Sequence, residues 1–241
     1  GVYQKVYFLM VKWILKIVCL FGMIQCNSTS GEKELLVEKV QIHQEFSFSE
    51  VSFVLEQHTK LQQIDVVGWK EFSYKPKVQF RLAHSDSLLF IKFYVDENYL
   101  LARQQEPNSA THTDSCVEFF FDPLGNGNYY NFEFNCIGTT HLAYGPNRRQ
   151  RNFVSKKEIT DQIQIWTTLG KAPFEERTGN FHWEMVVAIP NTILVYTPNF
   201  TFSNKSARAN FYKCGDHTSK PHYLSWNEVL TPRPDFHQPE Y

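Results

Sequence analysis

The sequence predicts an all-β fold, an antiparallel β-sandwich, and three observations support this prediction. Short runs rich in β-branched and aromatic residues recur along the chain, each followed by turn-forming residues. No stretch shows the sustained periodicity of an amphipathic helix. Aromatic residues make up 16% of the 241 residues, which is enough apolar material to fill a large core between two sheets.

The first 45 residues differ in composition from the rest of the chain. In residues 1–26, lysines precede a short apolar run that ends at Cys26 and is followed by a polar Asn-Ser-Thr-Ser tract. This pattern resembles a bacterial lipoprotein signal with Cys26 as the lipidated residue; ordinary secretion and an uncleaved anchor are the alternatives. All three place the mature protein outside the cytoplasm, and a lipid anchor would hold it at the cell envelope or outer membrane. Residues 27–45 are predicted to be a polar tether, and residues 46–241 the sandwich.

The first half of the sandwich is predicted to contain two strands and one hairpin before the centre of the chain. The alternating run Phe46–Leu55 is expected to be extended, and Ile64–Trp69 a short strand. Val78–Ala83 and Leu88–Val95 flank a His-Ser-Asp-Ser turn and form the hairpin. Asp96–Thr113 follows as a long polar loop of the kind that often carries binding residues.

The central element is a second hairpin, Ser115–Asp122 with Tyr129–Ile137, joined by the turn Pro-Leu-Gly-Asn-Gly-Asn. Its second strand alternates strictly, so one face is aromatic and is expected to enter the core. The other face carries Asn131, Glu133 and Asn135, which offer more hydrogen-bonding groups than a solvated face needs. We therefore expect this polar face to line a binding concavity.

The remaining elements follow the hairpin. Residues 145–151 form a turn with three arginines, and residues 190–194 are predicted to form a short helical turn. Further strands are predicted at Ile163–Leu169, Phe181–Ile189 and Ala207–Tyr212.

Several chemistries can be weighed from the residue types alone. The net charge of −1 means that the chain has no excess of basic residues to neutralise the phosphates of a nucleic acid, so nucleic acid is not an expected partner. Cys116 and Cys136 allow either a cross-strand disulfide or, as we favour, two buried thiols. No cluster has the spacing of a zinc site, whereas Asp122, Asn126 and Asn128 resemble a weak calcium-binding loop. Glu118 and Glu133 are the carboxylates that a glycoside hydrolase would use.

Sugar binding requires aromatic faces for the C–H side of a pyranose and fixed polar groups for its hydroxyls. Trp166 and Trp183 lie inside alternating strands and are expected in the core, whereas Trp69 and Trp226 lie at strand edges and are expected to be exposed platforms. The predicted saccharide-binding residues are Trp69, Glu118, Asn131, Glu133, Asn135, Tyr144, Arg148, Arg151, Asn210 and Trp226.

Four spaced blocks resemble the family 9 carbohydrate-binding modules, and are most similar to the family-9-like domains of secreted and lipoprotein components in Bacteroidetes. The blocks are Asp114–Phe120 with Tyr130–Asn135, the turn Tyr144–Arg151, Ala209–Asp216, and Leu224–Asn227 running into Pro234–His237. The resemblance covers roughly residues 46–241. It implies an immunoglobulin-like β-sandwich that binds a plant or microbial saccharide, with a tryptophan pair around a terminal sugar and structural calcium in the better-known members.

The leading hypothesis is therefore a non-catalytic carbohydrate-binding protein that supports polysaccharide catabolism at the cell surface, alongside surface glycoside hydrolases. The alternatives are a small glycoside hydrolase that uses Glu118 or Glu133, and a structural or adhesion module with all its aromatic residues buried. No cofactor other than structural calcium is expected.

Overall fold

Two β-sheets pack against each other through a shared aromatic core, which confirms the predicted β-sandwich. The structure is a computed structural model, and it describes residues 33–42, 45–203 and 205–238. The predicted signal and the first six residues of the tether, residues 1–32, lie outside the described residues, whereas the later part of the tether contains a strand that pairs with the first sheet. The strands are β1 (Glu38–Lys39), β2 (Gln62–Gln63), β3 (Val66–Val67), β4 (Lys77–His84), β5 (Leu88–Ala102), β6 (Cys116–Asp122), β7 (Tyr129–Asn135), β8 (Thr140–Gly145), β9 (Asn152–Phe153), β10 (Gln164–Thr167), β11 (Phe174–Pro190), β12 (Arg208–Cys214) and β13 (Tyr223–Ser225).

The strands in the described part of the chain divide into a six-stranded and a seven-stranded sheet. The first has the order β1-β4-β5-β11-β10, with β2 also paired to β4, and the second has the order β3-β13-β12-β6-β7-β8-β9. All pairs are antiparallel except β1 with β4. Strands β6 and β7 lie at the centre of the second sheet, so the predicted central hairpin is confirmed.

The β6–β7 register follows from the alternation in the sequence. Phe119 lies opposite Phe132 with both rings in the core, and Glu118 lies opposite Glu133 on the outer face. The connecting turn depends on Gly125 and Gly127, whose φ angles of 64° and 86° suit glycine. A single sequence pattern thus directs the aromatic residues inward and the carboxylates outward.

Two predictions for the start of the domain were wrong. Phe48–His58 is an α-helix, α1, rather than an extended run, and the Ser47 side chain caps it by accepting from the Glu50 N–H. Val51 and Leu55 are fully buried, and their spacing of four suits one helix face as well as it suits a strand. The predicted polar loop at 96–113 begins later than expected, because β5 continues to Ala102 in its pairing with β11.

The other short elements are helical. A second helix, α2 (Lys156–Gln162), begins with a capping box between Ser155 and Glu158 and was not predicted. The helical turn expected at 190–194 is present as the 3₁₀ turn Asn191–Ile193, and another 3₁₀ turn covers Thr111–Thr113. None of the helices in the described ranges is long and apolar enough to cross a bilayer.

Aromatic contacts join the two sheets. Phe80 on β4 stacks on Phe211 of β12 with ring centroids 3.7 Å apart, and Trp183 is fully buried as expected. Trp166 was expected in the core as well, but it is 41% exposed because β10 is an edge strand of the first sheet. Cys116 and Cys136 are both free and buried, as we favoured, since Cys116 pairs with Asn135 on β7 rather than with Cys136.

A buried ion pair also joins the sheets. The Lys213 Nζ on β12 lies 3.0 Å from a carboxylate oxygen of Glu97 on β5, and both side chains are fully buried. The other Glu97 oxygen accepts from the Trp183 indole at 2.7 Å, and the Lys213 Nζ lies 2.7 Å from the His222 Nε2. Burial and the adjacent lysine hold the pKa of His222 well below its usual value, which leaves the imidazole neutral as an acceptor.

We predict that Lys213→Met lowers the free energy of unfolding by about 3–5 kcal/mol, because it leaves the Glu97 carboxylate buried without a counter-charge. Urea unfolding measures this. The double change Glu97→Gln with Lys213→Met should recover most of the loss. Lys92→Met is the matched control, since its partners Glu56 and Glu184 are 42% and 26% exposed and remain hydrated. An equal loss in both lysine variants would contradict the prediction.

Candidate functional site

The outer face of the second sheet carries a cavity of about 120 Å³, on the side away from the aromatic core. Its floor is formed by side chains of β6, β7 and β12. Its walls come from the 3₁₀ turn at Thr111–Thr113, the arginine turn, the segment before β13 and the C-terminal segment. The lining residues are His112, Glu118, Glu133, Arg148, Arg151, Cys214, Asp216, Tyr223, Pro234, Asp235, Phe236 and His237.

Glu133 at the centre of the floor is held by four neighbours. The Thr111 hydroxyl and the Asn131 amide each donate to its carboxylate at 2.9 Å. The His112 Nδ1 lies 3.7 Å and the His141 Nε2 3.9 Å from the same carboxylate. Burial alone would raise the pKa of Glu133, but the two histidines and the hydroxyl lower that pKa to about 2. Glu133 is therefore ionised at neutral pH.

Glu118 lies directly opposite Glu133 in the β6–β7 register and takes the opposite protonation state. Burial and the neighbouring negative charge raise the pKa of Glu118 to about 8. Its Oε1 accepts from the Cys214 thiol at 3.0 Å. Two carboxyl groups side by side thus differ in charge, because the protonated His112 lies against Glu133, whereas no cation in the described part of the chain forms an ion pair with Glu118.

The histidines of the site also differ in charge. Contact with the Glu133 carboxylate raises the pKa of His112 to about 9, so this half-exposed imidazole is a cation at neutral pH. Burial, with Arg151 nearby, lowers the pKa of His237 to about 3, and its neutral ring lies 2.7 Å from the Tyr129 hydroxyl. The cavity therefore combines a fixed cation, a fixed anion and neutral hydrogen-bonding groups.

The arginine turn forms one wall because Gly145 lets two segments approach closely. A Cβ at this position would collide with the carbonyl oxygen of Gln150, so glycine is required where the chain reverses. Arg148 pairs with Asp235 of the C-terminal segment at 3.0 Å, and Arg151 donates to the Asn131 amide oxygen at 3.2 Å. Arg149, in the same turn, does not line the cavity.

Four of the predicted saccharide-binding residues come together at the cavity, namely Glu118, Glu133, Arg148 and Arg151. The prediction that Asn131 and Asn135 would line it was wrong, because both are buried and engaged. Asn131 supports Glu133 from behind, and Asn135 donates to Asp114 at 2.9 Å. Asn210 bonds the backbone of Asn227, and Tyr144 stacks on Tyr196 with centroids 5.2 Å apart.

The expected tryptophan platforms were also wrong. Trp69 is 4% exposed and donates to the Thr231 carbonyl, and Trp226 is 5% exposed and packs edge-on against Phe80. Tyr223 and Phe236 are the aromatic residues that reach the cavity instead. Trp69 lies behind both of them, with centroids 6.1 Å and 5.9 Å away.

Sequence reasoning missed several cavity residues. His112 and Asp216 meet because the Asp216 N–H donates to the His112 carbonyl at 3.2 Å, a contact that links segments far apart in the chain. Asp216 and Pro234–His237 lie within the blocks that carry the family resemblance, so that resemblance was the available signal for them. His112 and Tyr223 had no comparable signal.

The proposed calcium loop has a different local chemistry from the one expected. The Asp122 carboxylate accepts from the backbone N–H groups of Leu124, Asn126 and Gly127 at 3.2, 3.3 and 2.7 Å. The Asn126 side-chain oxygen accepts from the Asn128 N–H at 3.0 Å. The backbone N–H groups use part of the acceptor capacity of these oxygens, and calcium at this turn stays a prediction.

Comparisons with known proteins agree with these features. The profile described as Carbohydrate-binding family 9 matches residues 50–241. A solved structure from Bacteroides uniformis, to which a carbohydrate-binding function is ascribed, is 36% identical, covers 86% of this chain and 95% of that chain, and superposes with a TM-score of 0.82. A search of curated proteins found no match.

Two more distant structures are of a family 9 carbohydrate-binding module from Caldicellulosiruptor kristjanssonii, each 12% identical to this chain. The complex with glucose has a TM-score of 0.47 and covers 81% of this chain and 91% of that chain. The complex with cellotriose has a TM-score of 0.46 and covers 79% of this chain and 84% of that chain.

We predict that Glu118→Gln stabilises the protein increasingly as the pH rises. The unfolded carboxyl ionises near 4.5 and the folded one near 8, so the folded state of the native protein loses relative stability over that window. The advantage of the variant should therefore grow by more than about 1.4 kcal/mol between pH 5 and pH 8.5, since one pKa unit corresponds to that amount.

Urea unfolding across the pH range tests this expectation. Glu133→Gln is the control with the opposite sign, because a lowered pKa stabilises the folded state above pH 4.5 and the variant loses that contribution at neutral pH. A pH-independent difference between Glu118→Gln and the native protein would contradict the assigned protonation states.

Proposed function

The chain belongs to carbohydrate-binding family 9, and from this we propose that it binds a saccharide without cleaving it. The observation that carries the proposal is the polar cavity on the outer face of the second sheet. Its donors and acceptors are held by other side chains, so they keep fixed directions before any ligand arrives. Preorganised groups of this kind are what a ring with several hydroxyl groups needs.

The lining chemistry suits a neutral, hydroxyl-rich ligand. Arg151 and the protonated His112 donate hydrogen bonds, whereas the ionised Glu133 accepts them. Tyr223, which is partly exposed, offers aromatic surface for the C–H groups of a sugar ring, and the largely buried Phe236 adds an aromatic edge to the same wall. Cationic and anionic groups are both present, so the cavity does not select strongly for a charged sugar.

The size of the cavity limits the ligand. A volume of about 120 Å³ lies below the roughly 300–1,000 Å³ of pockets that enclose drug-sized molecules. We infer that one sugar unit, such as the end of a chain, occupies the cavity while the rest of an oligosaccharide extends into solvent.

The arrangement of the carboxyl groups favours binding over hydrolysis. A glycosidase places its two carboxyl groups on either side of the scissile bond. Here Glu118 and Glu133 lie side by side on adjacent strands of one floor.

The cellular location is part of the proposal and rests on the sequence alone. We propose secretion or lipid anchoring through Cys26 at the bacterial cell envelope, where the protein would hold saccharide near surface glycoside hydrolases. The support is the lysine-rich, apolar leader that ends in Cys26. The proposal includes no contact with the membrane other than through that lipid anchor.

We predict that Arg151→Ala weakens saccharide binding by at least tenfold, or about 1.4 kcal/mol, because it removes a fixed donor from the cavity. A glycan array would identify a ligand, and isothermal titration calorimetry would then measure its affinity. Arg149→Ala is the matched control, since Arg149 lies in the same turn but outside the cavity lining, and should bind as the native protein does.

Two results would contradict the proposal. One is an equal loss of affinity in both arginine variants while thermal unfolding shows that both are folded. The other is release of shorter sugars when the native protein is incubated with the array ligand, since that would make the protein a hydrolase.

A further inference from the structure

Two thiols and a carboxyl group meet at one end of the cavity floor. Cys116 on β6 lies directly opposite Cys214 on β12, and Glu118 is two residues along β6 on the same face. One donor atom from each residue lies within 4.8 Å of the other two. All three side chains are buried, and Glu118 and Cys214 also line the cavity.

This end of the floor lacks a cation in contact with it. Among the described residues, no lysine, arginine or histidine nitrogen forms an ion pair within 4.0 Å of the Glu118 carboxyl. The neighbouring Glu133, by contrast, has two histidines within that distance. A buried ionised group needs a cation or a metal ion beside it. The two thiols and the carboxyl group, clustered with no ion-pairing cation among the described residues, form a ligand set whose charge a metal ion would balance.

We propose that Cys116, Cys214 and Glu118 form a binding site for a thiophilic divalent cation of the zinc class. Soft thiolate ligands select such ions over calcium and magnesium, and a site with three protein ligands leaves a further position for water. Because Glu118 and Cys214 line the cavity, that position would be reached from the cavity side.

Binding of a divalent cation releases protons from all three ligands. Each thiol and the carboxyl group release one proton, so a divalent cation leaves the site with one net negative charge. The protonated His112 imidazole stabilises that charge, since its positive charge acts on Glu118 and opposes the rise in the pKa of that carboxyl. The inference does not depend on sugar binding.

Cadmium titration of the reduced full chain tests the site, because thiolate ligands to Cd²⁺ produce an ultraviolet charge-transfer band. We expect a saturable band at one ion per chain, absent from the double variant Cys116→Ser/Cys214→Ser. Cys136→Ser is the matched control, since this third buried cysteine lies outside the trio and should keep the band. Any contribution of Cys19 and Cys26 is common to all variants, so differences between variants report on the trio.

Zinc competition provides a second measurement that needs no cysteine change. Zn²⁺ in excess should displace Cd²⁺ from the native protein, and Glu118→Gln should bind Zn²⁺ at least tenfold more weakly while both thiols remain. The proposal is overturned if the reduced native protein shows no band, or if Cys136→Ser loses the band as fully as the double variant. A Cys116–Cys214 disulfide that persists in reductant, with no cadmium uptake, also overturns it.

Discussion

The direct opposition of Glu118 and Glu133 on adjacent central strands is the constraint on which the site depends. Two like charges in a buried cross-strand pair are destabilising, and the protein resolves this by giving the two groups different surroundings. Glu133 accepts hydrogen bonds from Thr111 and Asn131 and lies within 4.0 Å of two histidines, so it carries the negative charge. Glu118 accepts a hydrogen bond from the Cys214 thiol, and its pKa of about 8 keeps it protonated near neutral pH. The result is a floor with a fixed acceptor beside a neutral donor.

The rest of the fold holds this floor in place. The aromatic face of β6 and β7 packs into the core, which fixes the register that brings the two carboxyl groups together. The arginine turn and the C-terminal segment close over the opposite face and are joined by the Arg148–Asp235 pair. Trp69 was expected to contact the ligand. It packs instead against Tyr223 and Phe236, the two aromatic residues that line the cavity.

Local patterns predicted the parts of the site that lie on regular strands. Strict alternation between Tyr129 and Ile137 placed the polar row on the outer face, and the turn residues located the hairpin. Alternation predicts on which face of the sheet a side chain lies, but not which other segments cover that face. Asn135 was therefore expected at the cavity, whereas its side-chain amide donates hydrogen bonds to Asp114 and to the Gln104 carbonyl. The same ambiguity affected Phe48–His58, where the apolar spacing suits a helix and a strand equally well. His112 and Tyr223 reach the cavity only through tertiary contacts, which no local pattern encodes.

The most direct test of this account is a crystal structure of the protein with the saccharide identified on the glycan array. We expect the terminal sugar ring against Tyr223 and Phe236, with its hydroxyl groups bonded to Arg151, His112 and Glu133. A well-ordered sugar bound elsewhere on the sandwich, for example on the exposed Trp166, with no sugar in the cavity, would contradict it.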